Sequence, residues 1–109
     1  MGKASRDKGA RRERELVLRA KAAGLPAERV PLSGAAGGSF TDDVVVAGKR
    51  VEVKARGNGE GFATLERWKG GADALVLWRD RAEPQVLISL ADWLRLLAAQ
   101  GVDHERTVP

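Results

Sequence analysis

The chain has 109 residues, 43% hydrophobic and 31% charged, which fits one globular domain with a modest core. It has no cysteine, which excludes thiolate metal sites. It also has no apolar run long enough for a bilayer span or a secretory signal, so a cytoplasmic protein without membrane contact is expected. The formal net charge is +4, and the first 21 residues carry the whole excess, with eight Lys or Arg against three Asp or Glu.

The basic N-terminal segment is predicted to form a flexible arm over residues 1–9, followed by a helix from about Ala10 to Ala23. Asp7 can cap this helix, and Gly24 and Pro26 end it. Concentrated basic charge suits a polyanion, because each neutralised phosphate releases condensed counterions. The alternative is a solvated, partly frayed arm. The candidate DNA-binding residues are Lys3, Arg6, Lys8, Arg11, Arg12, Arg14 and, further along the chain, Arg56.

One acidic residue of this helix lies on its apolar stripe. Glu13 precedes Leu16 and Val17 by three and four residues, so its carboxylate is predicted to point towards the body of the protein. That placement is costly unless a partner receives the charge. The alternative is an ordinary exposed charge on a helix surface.

A β-hairpin is the central element of the sequence. Val30–Leu32 is predicted as a short strand, and residues 33–39 as a glycine-containing loop. Two β-rich runs follow, Asp43–Ala47 and Arg50–Ala55, joined by a tight turn at Gly48 and Lys49. Ser33 in the loop could contact a phosphate, or serve ordinary turn chemistry.

The hairpin carries the candidate catalytic residues. Hydrolysis of a phosphodiester calls for a divalent cation such as Mg²⁺, which prefers oxygen ligands. Asp43 begins one strand and Glu52 lies inside its partner, so antiparallel pairing could bring both carboxylates to one ion. Glu52 and Lys54 leave the same strand face, where an ammonium can offset charge on a phosphate. The alternatives are a surface Glu–Lys pair and aspartates that only start the strand.

The second half is predicted to hold a short helix over Thr64–Lys69, strands over Ala74–Trp78 and Gln85–Leu90, and a closing helix to about Gln100. Ser89 to Asp92 form a capping box, Gly101 is the predicted stop, and residues 102–109, which include His104, are a polar tail. Core or subunit packing is predicted for Trp68, Trp78 and Trp93. The element order gives an α/β or α+β sheet flanked by helices.

Several motifs together resemble the archaeal-type Holliday-junction resolvases, which have relatives in phages and belong to the PD-(D/E)xK nuclease superfamily. The resemblance runs from Lys8 to about Arg56 and is carried by Lys8-Gly9-Ala10, Glu13-Arg14-Glu15-Leu16, Ser33-Gly34, Asp43, Ala47-Gly48 and Glu52-Val53-Lys54. It implies an α/β, restriction-endonuclease-like fold with a mixed central sheet flanked by helices, the nuclease domain covering residues 10–101.

The resemblance also implies roles for single residues. Asp43 and Glu52 would bind Mg²⁺ or Mn²⁺ with help from the backbone carbonyl of Val53, Lys54 would be the catalytic lysine, and Glu13 would complete the site. Ser33 would approach the scissile strand. The proline of the family signature is absent, because Thr41 and Asp42 precede Asp43, so the first ligand is open between Asp42 and Asp43.

The predicted function is therefore a homodimeric, Mg²⁺-dependent endodeoxyribonuclease that resolves four-way DNA junctions in recombination and repair. One alternative keeps the catalytic centre but acts as a nicking, repair or restriction-like nuclease. The other is a non-catalytic module that binds nucleic acid.

Overall fold

A computed structural model describes the backbone of residues 2–31 and 42–107, and the side chains of residues 8–30 and 44–100. These residues form three helices and five strands, in the order one helix, three strands, one helix, two strands and one helix, a mixed composition that agrees with the predicted α/β class. Their bounds are α1 Gly2–Ala22, β1 Ala27–Pro31, β2 Asp42–Val46, β3 Lys49–Val51, α2 Ala63–Lys69, β4 Leu75–Leu77, β5 Gln85–Leu87 and α3 Leu90–Thr107.

Helix α1 is longer at its N-terminus than the sequence predicted. It begins at Gly2, so the backbone of the expected flexible arm belongs to the helix. Residues 3–8 contain good helix formers and no proline, so nothing stops the helix from extending back. The predicted end is confirmed: Gly24 has a φ of 87°, and the amides of Gly24 and Leu25 donate to the carbonyls of Lys21 and Ala20. This pattern is a Schellman motif.

Strands β1, β2 and β3 form an antiparallel sheet in that order. Ala27 of β1 pairs with Val46 of β2, and Val46 pairs with Lys49 of β3. The two residues between Val46 and Lys49 form the turn that joins β2 to β3, Ala47–Gly48, one position earlier than predicted. Both turn residues have positive φ, 50° and 80°, the conformation of a type I′ hairpin turn. The predicted hairpin is confirmed, but β3 stops at Val51.

The core lies on one face of this sheet. Val44 and Val46 are fully buried there and pack with Leu16 and Ala20 of α1. Helix α3 contributes its own buried leucines to the same cluster. The predicted stripe of α1 is thereby confirmed, since Leu16 lies in the core and Val17 packs against it.

The second sheet is a separate hairpin of β4 and β5, also antiparallel. The expected single mixed sheet is thus replaced, within the described residues, by two antiparallel sheets. Local pairing of β4 with β5 closes a short loop, which costs little chain entropy. Trp68 and Trp78 are 61% and 75% exposed in the single chain, so neither is a core residue and subunit packing stays a prediction for both, while Trp93 packs against the core.

Helix α3 begins as predicted, because the amide of Asp92 donates to Oγ of Ser89 at 3.1 Å. It continues to Thr107, through the predicted stop at Gly101 and most of the predicted tail. A glycine inside a helix costs only about 1 kcal/mol, which its neighbours can offset. Across the described residues, none of the helices combines the length and the apolar character that a membrane crossing needs.

Candidate active site

The pairing of β2 with β3 decides which acidic positions face each other. Val44 pairs with Val51 and Val45 with Arg50. Continued by one residue, this register sets position 43 opposite Glu52. On this extension, the two positions that the sequence singled out as metal ligands would be adjacent across the hairpin, one residue beyond the last pair of the ladder.

Alternation along β2 separates the two neighbouring aspartates. Successive residues of a strand belong to opposite faces. Position 42 shares the face of buried Val44, which packs against α1, whereas position 43 belongs to the opposite face, with Val45. The backbone thus groups position 43, and not 42, with Glu52. The side chains of both aspartates lie outside the described set.

Glu52 and Lys54 lie together just after the end of β3. The prediction that Glu52 is inside a strand was wrong, since β3 ends at Val51. The alternation nevertheless continues: Val53 is half-buried and packs against the core, while Glu52 and Lys54 are 60% and 64% exposed. Nζ of Lys54 lies 3.8 Å from Oε2 of Glu52. The predicted shared face is confirmed.

Glu13 points inward, as predicted, and the structure identifies what receives its charge. Oε1 of Glu13 accepts from Nε of Arg29 at 3.2 Å and lies 3.1 Å from Nη2 of the same guanidinium. The Glu13 side chain is only 14% exposed. Arg29 pairs with Val44 across the sheet, so this ion pair sits on the face that packs against α1. The role of Glu13 in metal binding stays a prediction.

An open cleft of about 550 Å³ runs between α1 and the chain from Val51 to Gly57, along the free edge of the sheet. Five cations and two carboxylates line it, a net charge of +3 against +4 for the whole chain. The charged residues are Lys8, Arg12, Glu15, Arg19, Glu52, Lys54 and Arg56. Glu52 and Lys54 therefore stand at the border of a strongly basic groove.

The predicted DNA-binding residues divide into three groups. Lys8, Arg12 and Arg56 line the cleft. Arg11 and Arg14 are exposed elsewhere on α1, and the side chains of Lys3 and Arg6 lie outside the described residues, as does Ser33.

Sequence reasoning missed Arg19, which also lines the cleft. Its spacing from Lys8 and Arg12, eleven and seven residues, is the signal that could have placed it on their helix face.

The donor types of the site fit a hard cation. Among the residues with described side chains, which do not include the two aspartates, no three His, Cys, Asp or Glu lie close enough together to hold a metal ion. Glu52 supplies an exposed carboxylate, and position 43 opposite would supply a second. Carboxylate oxygens are what Mg²⁺ and Mn²⁺ prefer.

In comparisons with known proteins, no family model, no curated protein and no solved structure matches this chain. The resolvase resemblance therefore remains a prediction from the motifs.

Proposed function

We propose that this chain is a metal-dependent endodeoxyribonuclease that cuts branched DNA, with four-way junctions as its preferred substrate. The observation that carries the proposal is the β2–β3 register, which, continued by one residue, brings position 43 beside Glu52. Lys54 follows on the same exposed side, next to a basic groove. Two oxygen donors, an ammonium and a polyanion-binding surface together would support metal-assisted hydrolysis of a phosphodiester.

The chain's own oxygen donors would hold Mg²⁺, or Mn²⁺ in its place. Asp43 and Glu52 would bind it through their carboxylates, with the carbonyl of Val53 as a further donor that the resemblance implies. Glu13, which the resemblance also assigns to the site, is paired with Arg29 on the opposite face of the sheet. Once bound, the cation would supply Lewis-acid chemistry that withdraws negative charge from the phosphate.

Lys54 would act on the reacting phosphate. Its ammonium carries a fixed positive charge beside the carboxylate of Glu52 and can donate hydrogen bonds to a non-bridging phosphate oxygen or to the attacking water. In the hydrolysis, the water oxygen joins phosphorus, the P–O3′ bond breaks, and the departing oxygen takes a proton. The products are a 5′ phosphate and a 3′ hydroxyl.

The preference for junctions and the oligomeric state belong to the same proposal. Cutting two strands of like polarity requires two active sites, and an isologous homodimer supplies them by symmetry. Helix α1 packed on the antiparallel β1–β2–β3 sheet supports a reduced restriction-endonuclease-like fold. We place the activity in cytoplasmic DNA recombination and repair.

The proposal is tested by cleavage of three end-labelled DNAs at equal concentration: a four-way junction, a flap and a linear duplex. In Mg²⁺ we expect paired nicks in the junction, no cutting in EDTA, and a loss of at least about 10²-fold for Glu52→Gln with binding retained. Equal or faster cutting of the linear duplex would remove the resolvase assignment and favour a nicking or restriction-like nuclease.

A non-catalytic DNA-binding module is the second candidate. The net charge of +3 in the cleft would serve binding alone, and both Glu52 and Lys54 already have an ionic partner in each other. Tight binding to the junction with no nicks in Mg²⁺ or Mn²⁺ would favour this candidate. Against it stands the proposed position of Asp43 beside Glu52 at a polyanion-binding edge, because two carboxylates there would weaken DNA binding unless a cation joined them.

A further inference from the structure

We propose that the cleft between α1 and residues 51–57 binds a continuous stretch of sugar-phosphate backbone, and that Arg19 contacts this stretch at the end of the α1 row of cations opposite to Lys8. This inference rests on the proposed function for its ligand, DNA. It adds a binding residue that neither the motifs nor the resemblance assigns.

The first support is the arrangement of cations on α1. Lys8, Arg12 and Arg19 all line the cleft and are spaced four and seven residues apart, so they lie along one side of the helix. Eleven residues of helix span about 16 Å. The phosphates of one DNA strand are spaced by ~3.4 Å along the duplex axis, so a row of this length can meet several of them.

The second support is the pairing state of these cations. Nη1 of Arg12 lies 2.7 Å from Oε1 of Glu15, and Lys54 forms an ion pair with Glu52. Within the part of the chain whose side chains are described, Lys8, Arg19 and Arg56 form no ion pair with a carboxylate. Three cations on the walls of one groove repel each other, and a polyanion relieves that repulsion.

The third support is the close approach of the two walls at Gly57. A Cβ built on Gly57 would lie 2.8 Å from Nζ of Lys8. The ammonium of Lys8 therefore rests directly against the backbone of the opposite wall. The groove is narrow at this end and lined by positive charge from both sides, since Arg56 precedes Gly57.

The test measures DNA binding without any cutting. Wild-type protein, Arg19→Ala and Arg79→Ala are titrated into a fluorescent four-way junction in EDTA at several NaCl concentrations. Arg79 is the matched control, an exposed arginine that follows β4 and does not line the cleft. Each phosphate contact contributes about 0.9 to the slope of log affinity against log salt.

We expect Arg19→Ala to lower that slope by about 0.9 and to weaken binding about fivefold near physiological salt, whereas Arg79→Ala leaves both unchanged. Glu15→Gln should act in the opposite direction and tighten binding, because it frees Arg12 and raises the charge of the cleft. Equal slopes for Arg19→Ala and Arg79→Ala would overturn the inference. So would unchanged binding by Glu15→Gln.

The outcome is separable from that of the enzyme proposal. If wild-type protein fails to cut any DNA in Mg²⁺ while Arg19→Ala still lowers the salt slope, the groove assignment stands and the nuclease proposal fails. If wild-type protein cuts DNA but Arg19→Ala binds like the Arg79→Ala control, the nuclease proposal stands and the groove assignment fails.

Discussion

The ion pair between Glu13 and Arg29 is expected to stabilise the fold far more than the exposed ion pair between Arg12 and Glu15, which also belongs to α1. The Glu13 and Arg29 side chains are 14% and 28% exposed, so both are largely removed from water. Arg29→Met keeps an apolar stem but leaves the Glu13 carboxylate without this partner. Breaking a fully buried pair costs about 3–5 kcal/mol, and exposed pairs contribute about 0–1 kcal/mol. For this part-buried pair we expect a loss of about 2 kcal/mol.

The measurement is a double-mutant cycle by urea denaturation, with Glu13→Gln, Arg29→Met and both together. A loss of about 2 kcal/mol corresponds to a fall in Tm of roughly 8 °C for a chain of this size. We expect a coupling energy of about 1–2 kcal/mol, because the double variant no longer holds an unpaired charge in the interior.

Arg12 and Glu15 provide the control for this cycle. Their N–O distance is 2.7 Å, shorter than in the Glu13–Arg29 pair, but their side chains are 56% and 54% exposed. The cycle of Arg12→Met with Glu15→Gln should give a coupling energy below about 0.5 kcal/mol. If the two coupling energies are equal, burial does not set the strength of the Glu13–Arg29 pair and the reasoning is refuted.

Three further predictions follow from the hairpin. Asp43→Asn should reduce Mg²⁺-dependent cutting of a junction by at least about 10²-fold, whereas Asp42→Asn, on the other sheet face, should stay within about threefold of wild type. A larger loss for Asp42→Asn than for Asp43→Asn would make Asp42 the metal ligand instead. Lys54→Ala should abolish cutting while junction binding persists, because the groove keeps four other cations; parallel loss of both, seen by gel shift and cleavage, would contradict that separation. Ala47→Asn should stabilise the fold by about 0.5–1 kcal/mol in urea denaturation, because Ala47 has a φ of 50°, a conformation that asparagine adopts more readily than alanine. Gly48→Ala should destabilise the fold, because Gly48 has a φ of 80°.

The features that the sequence predicted well are those set by local chemistry. The end of α1 follows from Gly24, and the start of α3 from the hydroxyl of Ser89. The β2–β3 hairpin follows from alternating valines and from the glycine of its turn. In each case the deciding residues are a few positions apart, so a pattern in the sequence contains the whole interaction.

The features that it missed depend on contacts between distant segments. Arg29 receives the charge of Glu13 from sixteen residues away, and many cations could have done so. Arg19 belongs to the cleft only because α1 packs beside residues 51–57. The length of β3 was overestimated because its alternating pattern continues to Arg56, although pairing with β2 stops at Val51. Periodicity reports which side chains face the core, and it does not report where a partner strand ends.

The candidate site and the core are two consequences of one alternating pattern. Burying Val44 and Val46 against α1 commits the intervening positions of β2 to the opposite face, and Val51 and Val53 do the same for Glu52 and Lys54. Apolar packing on one face therefore fixes the polar residues on the other without any contact among them. A one-residue slip of β3 along β2 would place Glu52 opposite a core position and move the valines into solvent. The free energy of burying those valines thus maintains the register on which the proposed chemistry depends.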